Sequence, residues 1–188
     1  MKLKLVMMLA ASTLAAASCG HKDQAAQSNA ANADETNAAT GNAVAAVSAD
    51  QQFANTAAAS DAFEIQSSQL AATNASSSAV KSFAQHMVQA HTESTAKLKT
   101  AAAAASPAIT PDATLSADQQ QKLTDLKSKT GAAFDSAYVD DQVAAHHAAL
   151  DGLKSYSASG AVPSLKSFAT DIVPIVTAHL NSAKALKH

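Results

Sequence analysis

After Asp50 the apolar positions recur at the spacing of an α-helix, and runs of β-branched residues that would predict strands are absent. The pattern predicts long helices over about 50–74, 77–105, 116–159 and 163–187. Gly131 interrupts the third of these stretches, which predicts a short extra helix before helix 3. Short turns join the first pair and the last pair of helices, and such turns make neighbouring helices antiparallel. We therefore predict an all-α fold, an antiparallel four-helix bundle.

Four ionisable side chains lie on the apolar stripes of these helices, one on each. Glu64 shares the stripe of helix 1 with Phe53, Ala57 and Ala71, and histidines occupy the stripes of the other three. The set is Glu64, His91, His146 and His179. Counted from the turns at about 1.5 Å per residue, the members of each hairpin lie within roughly 5–8 Å of each other along the bundle axis. The pattern predicts that the four side chains meet inside the bundle.

Two interpretations of this cluster remain open. Imidazole nitrogens bind zinc, iron, copper and nickel, and bundle cores host such sites, so the four residues can be the ligands of one divalent transition metal ion, zinc or iron. Alternatively, Glu64 pairs with a histidine, and hydroxyl groups such as that of Tyr138 satisfy the remaining polar atoms. The other histidines fall off the apolar stripes or near the termini, and we expect them in solvent: His21, His86, His147 and His188.

Residues 1–19 have the three parts of a secretory signal peptide. A positive start is followed by an apolar stretch shorter than the about 20 residues that span a bilayer, and small residues then lead to Cys19. Ala15–Ala17 fits an ordinary A-x-A cleavage site, whereas Ala16–Cys19 resembles a lipobox in which Cys19 is lipidated. We expect a lipoprotein on the periplasmic side of the outer membrane, which Gly20 favours by resemblance to Gram-negative lipoproteins. Cleavage at the A-x-A site would instead give a soluble periplasmic or secreted protein.

The segment that follows, residues 20–48, is rich in Ala, Asn, Gln, Ser and Thr and almost without large apolar residues. It cannot bury enough surface to offset the entropy of ordering, so it is predicted to be a disordered tether before a bundle domain over 49–188. The single cysteine excludes an intramolecular disulfide. A formal net charge of −2 gives no indication of a nucleic-acid partner.

The residues around the four polar side chains resemble a bacterial family of ferritin-like exported proteins called domain of unknown function 4142. The resemblance covers about 50–187 and is carried by four segments: Phe63-Glu64-Ile65, Val80-Lys81-x-Phe83 before His91, Phe134-Asp135-x-x-Tyr138 before His146, and Leu165-Lys166-x-Phe168 before His179. It implies a ferritin-like four-helix bundle behind a signal peptide or lipobox and no established activity. We expect Tyr138 and Asp135 to hydrogen-bond to the ligating side chains.

The chain departs from the family pattern at two kinds of position. Ala90 and Ala145 stand where the family commonly has an acidic residue just before the histidine. Val88 and Val143 stand where a Glu-x-x-His motif of a di-iron bundle would have glutamate. If a metal binds, we therefore expect one ion.

Three functions fit these features. The first is a cell-envelope protein, attached to the membrane by a lipid anchor, that handles a metal or protects against stress. The second is an enzyme that uses the same metal, which needs an open coordination position and a cavity. Close packing of alanine-lined helices is expected to leave little room, so the first is favoured over the second. The third is a structural or interaction bundle whose polar core is held by hydrogen bonds alone.

Overall fold

Five α-helices make up the part of the protein that the computed structural model describes, residues 47–187. They are α1 (Ala49–Asn74), α2 (Ser78–Ala103), α3 (Ala117–Lys127), α4 (Gly131–Ser159) and α5 (Pro163–Ala185). The four long helices and the short extra helix before helix 3 are thus confirmed. Each boundary lies within a few residues of the one that the apolar pattern predicts.

Local sequence explains where the helices begin. The side chains of Ser48, Ser77 and Ser116 each accept a hydrogen bond from a backbone N–H in the first turn of α1, α2 and α3. Pro163 stands in the first turn of α5, where its missing N–H costs nothing. Gly131, at the start of α4, adopts a φ of 62°, a conformation that glycine reaches without strain and that separates α3 from α4.

The connectivity is that of two antiparallel hairpins joined by one long crossover. Helices α1 and α2 form one hairpin and α4 and α5 the other, while α1 packs on α4 and α2 on α5 to close a four-sided bundle. The crossover from α2 to α4 contains α3, which packs against α1 and α4. One long crossover of this kind is the connectivity of ferritin-like bundles, which confirms the predicted fold class.

The interior consists of two apolar clusters with a polar layer between them. One cluster includes Leu98, Leu150 and Phe168, and the other includes Met87 and Phe134. The polar layer contains the side chains that are buried between these clusters along the helices: Asp61, Glu64, Ser67, Ser68, His91, Gln142, His146 and His179. Apolar side chains therefore enclose the polar layer on both sides along the bundle.

Three sequence-based predictions concern residues that the structure does not describe. The signal peptide, Cys19 and most of the predicted tether precede residue 47, and they remain predictions. Within residues 47–187, no helix has both the length and the hydropathy to cross a membrane.

Candidate metal centre

Three histidines from three helices converge in the polar layer. His91 on α2, His146 on α4 and His179 on α5 are buried, and one nitrogen of each lies within 4.8 Å of the others. The ring centroids of each pair are 5.5–5.7 Å apart. The structure thus brings the three predicted histidines together, and the fixed rise per residue of α-helices explains why their heights match.

In His91 and His146, a hydrogen bond at Nδ1 orients the ring and determines which nitrogen carries the proton. Nδ1 of His146 lies 2.8 Å from the carbonyl oxygen of Gln142. A carbonyl oxygen only accepts, so Nδ1 carries the proton and Nε2 of the neutral ring has a free lone pair. Nδ1 of His91 lies 2.8 Å from Oδ1 of Asp61, and the hydroxyl of Thr95 donates to the other carboxylate oxygen at 3.2 Å. The neutral ring of His91 therefore also presents Nε2 as an acceptor.

The remaining nitrogens are buried without a partner. Among the side chains and backbone of residues 47–187, none hydrogen-bonds to Nε2 of His91, Nε2 of His146 or Nδ1 of His179. A buried polar atom without a partner costs about 1–3 kcal/mol. In the neutral rings of His91 and His146 both Nε2 atoms are acceptors, so neither can donate a hydrogen bond to the other. Such nitrogens are suited to bind a metal ion. The alternative interpretation, a fully hydrogen-bonded polar cluster, does not account for these unpartnered atoms.

The spacing of the nitrogens fits one ion after small adjustments. Three atoms within 4.8 Å of one another place a central ion no more than about 2.8 Å from each, and zinc–imidazole bonds are about 2.0–2.1 Å long. Shifts of less than about 1 Å per side chain close the difference. Partners such as the carboxylate of Asp61 and the carbonyl of Gln142 are typical of histidines that bind metals, because they fix the ring orientation and raise the basicity of the ligand.

The pKa values of His146 and His179 also favour metal binding. Burial lowers the pKa of His146 to about 4, and burial together with the neighbouring His91 and His146 lowers the pKa of His179 to about 3. Both rings are therefore neutral at mildly acidic and neutral pH, so a metal ion meets little competition from protons at these two ligands. Burial alone would lower the pKa of His91, but the hydrogen bond to Asp61 and the charges of Glu64 and Asp61 together raise it.

Glu64 lies beside the histidine cluster rather than within it. It is 1% exposed, and its Oε1 is 3.7 Å from Nδ1 of His146, the nitrogen that is bonded to Gln142. Neither carboxylate oxygen has a hydrogen-bond partner within the described chain. Burial raises the pKa of Glu64 to about 7. Of the four predicted ligands, the three histidines group their nitrogens together, and Glu64 is not part of that group.

Tyr138 and Asp135 take positions other than the expected ones. The hydroxyl of Tyr138 is 2.7 Å from that of Ser68, and burial raises the pKa of Tyr138 well above its usual range. Asp135 accepts hydrogen bonds from the backbone N–H groups of Ser76 and Ser77 at the turn between α1 and α2. The contacts of Asp135 connect the start of α4 to the turn between α1 and α2. Neither residue hydrogen-bonds to a histidine in the part of the chain that the structure describes.

Two residues of the site, Asp61 and Gln142, were not predicted from the sequence. Asp61 is three residues before Glu64 and therefore lies on the same face of α1, a spacing that could have identified it. Gln142 is four residues before His146, so its carbonyl lies one turn below the histidine ring; its amide nitrogen donates to Ser67 at 3.4 Å. The expected solvent positions of His86 and His147 are confirmed, since both are exposed. His21 and His188 lie outside the described residues.

The chain belongs to the family described as "Domain of unknown function (DUF4142)", which it matches over residues 33–186. The match confirms the resemblance seen in the sequence, and it includes the whole of the polar layer. No curated protein and no solved structure matches the chain. The family description carries no activity, so the function must be argued from the site.

The buried carboxyl group of Glu64 gives a prediction for the metal-free protein. In the folded protein its pKa is raised from 4.5 to about 7. The contribution of the protonated carboxyl group to the free energy of unfolding is therefore fully present below about pH 4.5 and is lost as the pH rises through 7. Glu64→Gln should therefore stabilise the protein by about 1–3 kcal/mol at pH 8 and by less at pH 5. Urea unfolding at both pH values measures the difference.

Glu93→Gln is the matched control for this experiment. The Glu93 side chain is 73% exposed, so its replacement should change stability equally little at both pH values. A Glu64→Gln variant that is no more stable at pH 8 than the unsubstituted protein would show that Glu64 is not an unpaired buried acid.

Proposed function

We propose that this member of the DUF4142 family binds one divalent transition metal ion, zinc or iron, through His91, His146 and His179. The observation that carries the proposal is the convergence of three buried, unpartnered imidazole nitrogens within 4.8 Å of one another. Imidazole is a common ligand for both metals. Three histidines leave the fourth position of a tetrahedral ion for water, for Glu64 after a side-chain rotation, or for another ligand. In this role the protein handles or buffers a metal in the cell envelope.

We expect one equivalent of zinc or iron per chain in the purified protein, and one equivalent of Zn²⁺ after loading of the metal-free protein. A metal ion that binds the folded but not the unfolded state stabilises the protein by about 2.7 kcal/mol when its free concentration is a hundred times Kd. This corresponds to a rise in Tm of roughly 5–10 °C. His146→Ala should abolish both the stoichiometric binding and the rise. Metal analysis after dialysis and thermal melting with and without a chelator measure them.

His147→Ala is the control, because His147 is the exposed neighbour of His146 on the same helix and should leave binding unchanged. Asp61→Asn keeps an oxygen for the ring of His91 but removes the charge, and it should weaken binding by about 10–100-fold. Absence of stoichiometric metal, with a Tm that neither Zn²⁺ nor a chelator alters, would refute the proposal. Metal retained by His146→Ala would show that other residues are the ligands.

A second candidate function, a metal-dependent enzyme, is favoured by a cavity beside the histidines. The sequence led us to expect little room there. The cavity nevertheless has a volume of about 620 Å³, and its walls include His91, His179 and Asp61 together with alanines of α1 and α4. Alanine side chains are too short to fill the space between helices whose separation is set by larger residues elsewhere. A small molecule in this cavity could reach an open coordination position.

The two functions differ in whether an outside ligand reaches the metal. If the site is open to the cavity, azide or imidazole added to Co²⁺-loaded protein should shift the visible absorption bands of the metal. If Glu64 and the three histidines close the site, these ligands should leave the spectrum unchanged. Spectral titration therefore separates an open site, which catalysis requires, from a closed one that only stores or carries the ion.

We further propose that the protein is exported and attached to the outer membrane through lipidated Cys19. Support comes from the signal-peptide pattern of residues 1–19 and from the place of the single cysteine at its end. Cys19→Ser should move the protein from the membrane fraction to the soluble fraction, because the lipid can no longer be attached. Cell fractionation followed by immunodetection measures the shift, and an unchanged membrane fraction would refute the anchor.

A further inference from the structure

A site whose ligands are all buried needs a passage by which the ion reaches it. His91, His146 and His179 are at most 5% exposed. A cleft between α2 and α5 leads from the surface to one of them. Its walls include His86, Glu93, Pro174 and His179.

His86 lines this cleft in contact with His179. Its side chain is exposed. The centroids of the two rings are 5.2 Å apart, with an interplanar angle of 88°. One part of the His179 ring lines the cleft beside His86. Its Nδ1 is buried and has no hydrogen-bond partner within residues 47–187. No other exposed histidine within residues 47–187 has a ring in contact with a member of the cluster.

Two further features of the cleft suit the passage of a cation. Glu93 lies seven residues after His86, two turns along the same face of α2, and its carboxylate is only loosely paired with Lys97 at 3.8 Å. On the opposite wall, Pro174 has no N–H to donate to the carbonyl of Thr170, so α5 lacks one hydrogen bond where it borders the cleft. The carboxylate of Glu93 and the imidazole of His86, both in the walls of the cleft, are groups that bind divalent transition metals.

We propose that this cleft is the route by which the metal ion enters and leaves the core, with His86 as the transient ligand that transfers it to His179. Each step is a ligand exchange: His86 replaces a water of the hydrated ion, His179 then binds, and His86 dissociates as His91 and His146 complete the site. No electron transfer and no covalent change in the protein is involved. The inference rests on the proposed metal binding and adds its route.

A residue that binds the ion only in transit lowers the barrier equally in both directions. Its removal should therefore slow uptake and release by the same factor and leave Kd unchanged. His86→Phe is the informative variant, because it keeps an aromatic ring against His179 and removes both nitrogens. We expect uptake and release of Co²⁺ to slow by about tenfold or more in this variant. His86→Asp, which restores a ligating group, should recover most of the rate.

The experiment is stopped-flow absorbance on the full chain, with uptake measured on mixing with Co²⁺ and release measured on mixing the loaded protein with a chelator. His147→Phe is the matched control, since it replaces an exposed histidine that adjoins a ligand in sequence but has no ring contact with the cluster, and its rates should be unchanged.

Unchanged rates in His86→Phe would overturn the proposed route while leaving the metal site intact, and would indicate passage through the larger cavity beside Asp61. A weaker Kd with faster release alone would also overturn it, because His86 would then be a ligand of the bound ion. A protein that binds no Co²⁺ at all would instead remove the proposed function and this route with it.

Discussion

Ionisable side chains buried in one layer at the middle of the bundle are the constraint on which the rest of this structure depends. Asp61, Glu64 and the three histidines are each at most 5% exposed. Removing such groups from water costs several kcal/mol for each charge that is not compensated. The protein limits this cost by keeping the groups neutral or pairing them: Glu64 retains its proton to about pH 7, and His146 and His179 lose theirs far below it. The apolar clusters on both sides supply the stability that allows such a layer to persist.

The layer is organised so that its lone pairs point inward. Asp61 and the carbonyl of Gln142 hold the Nδ1 side of His91 and His146, which leaves their Nε2 atoms facing the centre. A polar core built only for hydrogen bonding would pair donors with acceptors, but here two acceptor nitrogens, Nε2 of His91 and Nε2 of His146, are buried without a donor among residues 47–187. A divalent cation is the partner that satisfies several lone pairs at once, and its charge would also offset those of Asp61 and Glu64. Binding of such a cation would therefore offset part of the cost of burying these groups.

Much of the fold and part of the site could be predicted from the sequence. Helix ends are specified by local chemistry at Ser77, Ser116, Gly131 and Pro163, and the heights of the histidines follow from the constant rise of a helix. The rotation of α1 was harder to predict, because its first half is nearly uniform in small residues. The pattern assigned Phe53 and Ala57 to the buried stripe. Both are partly buried and pack against the cluster that includes Leu98, while the most buried face of this half runs through Ala54, Ala58 and Asp61. Asp61 lies beside the assigned stripe and was missed for this reason. The direction of the Glu64 carboxylate and the cavity lined by alanines depend on packing between helices, which periodicity does not encode.

The central claim, that the three histidines form one metal centre, is tested most directly by X-ray absorption at the zinc K-edge of the protein loaded with one equivalent of Zn²⁺. We predict a four-coordinate ion with three imidazole nitrogens at about 2.0–2.1 Å and the multiple-scattering features of histidine rings. His146→Ala should lose one of these rings. A zinc ion surrounded by oxygen atoms alone, or by fewer than two imidazoles, would contradict the claim.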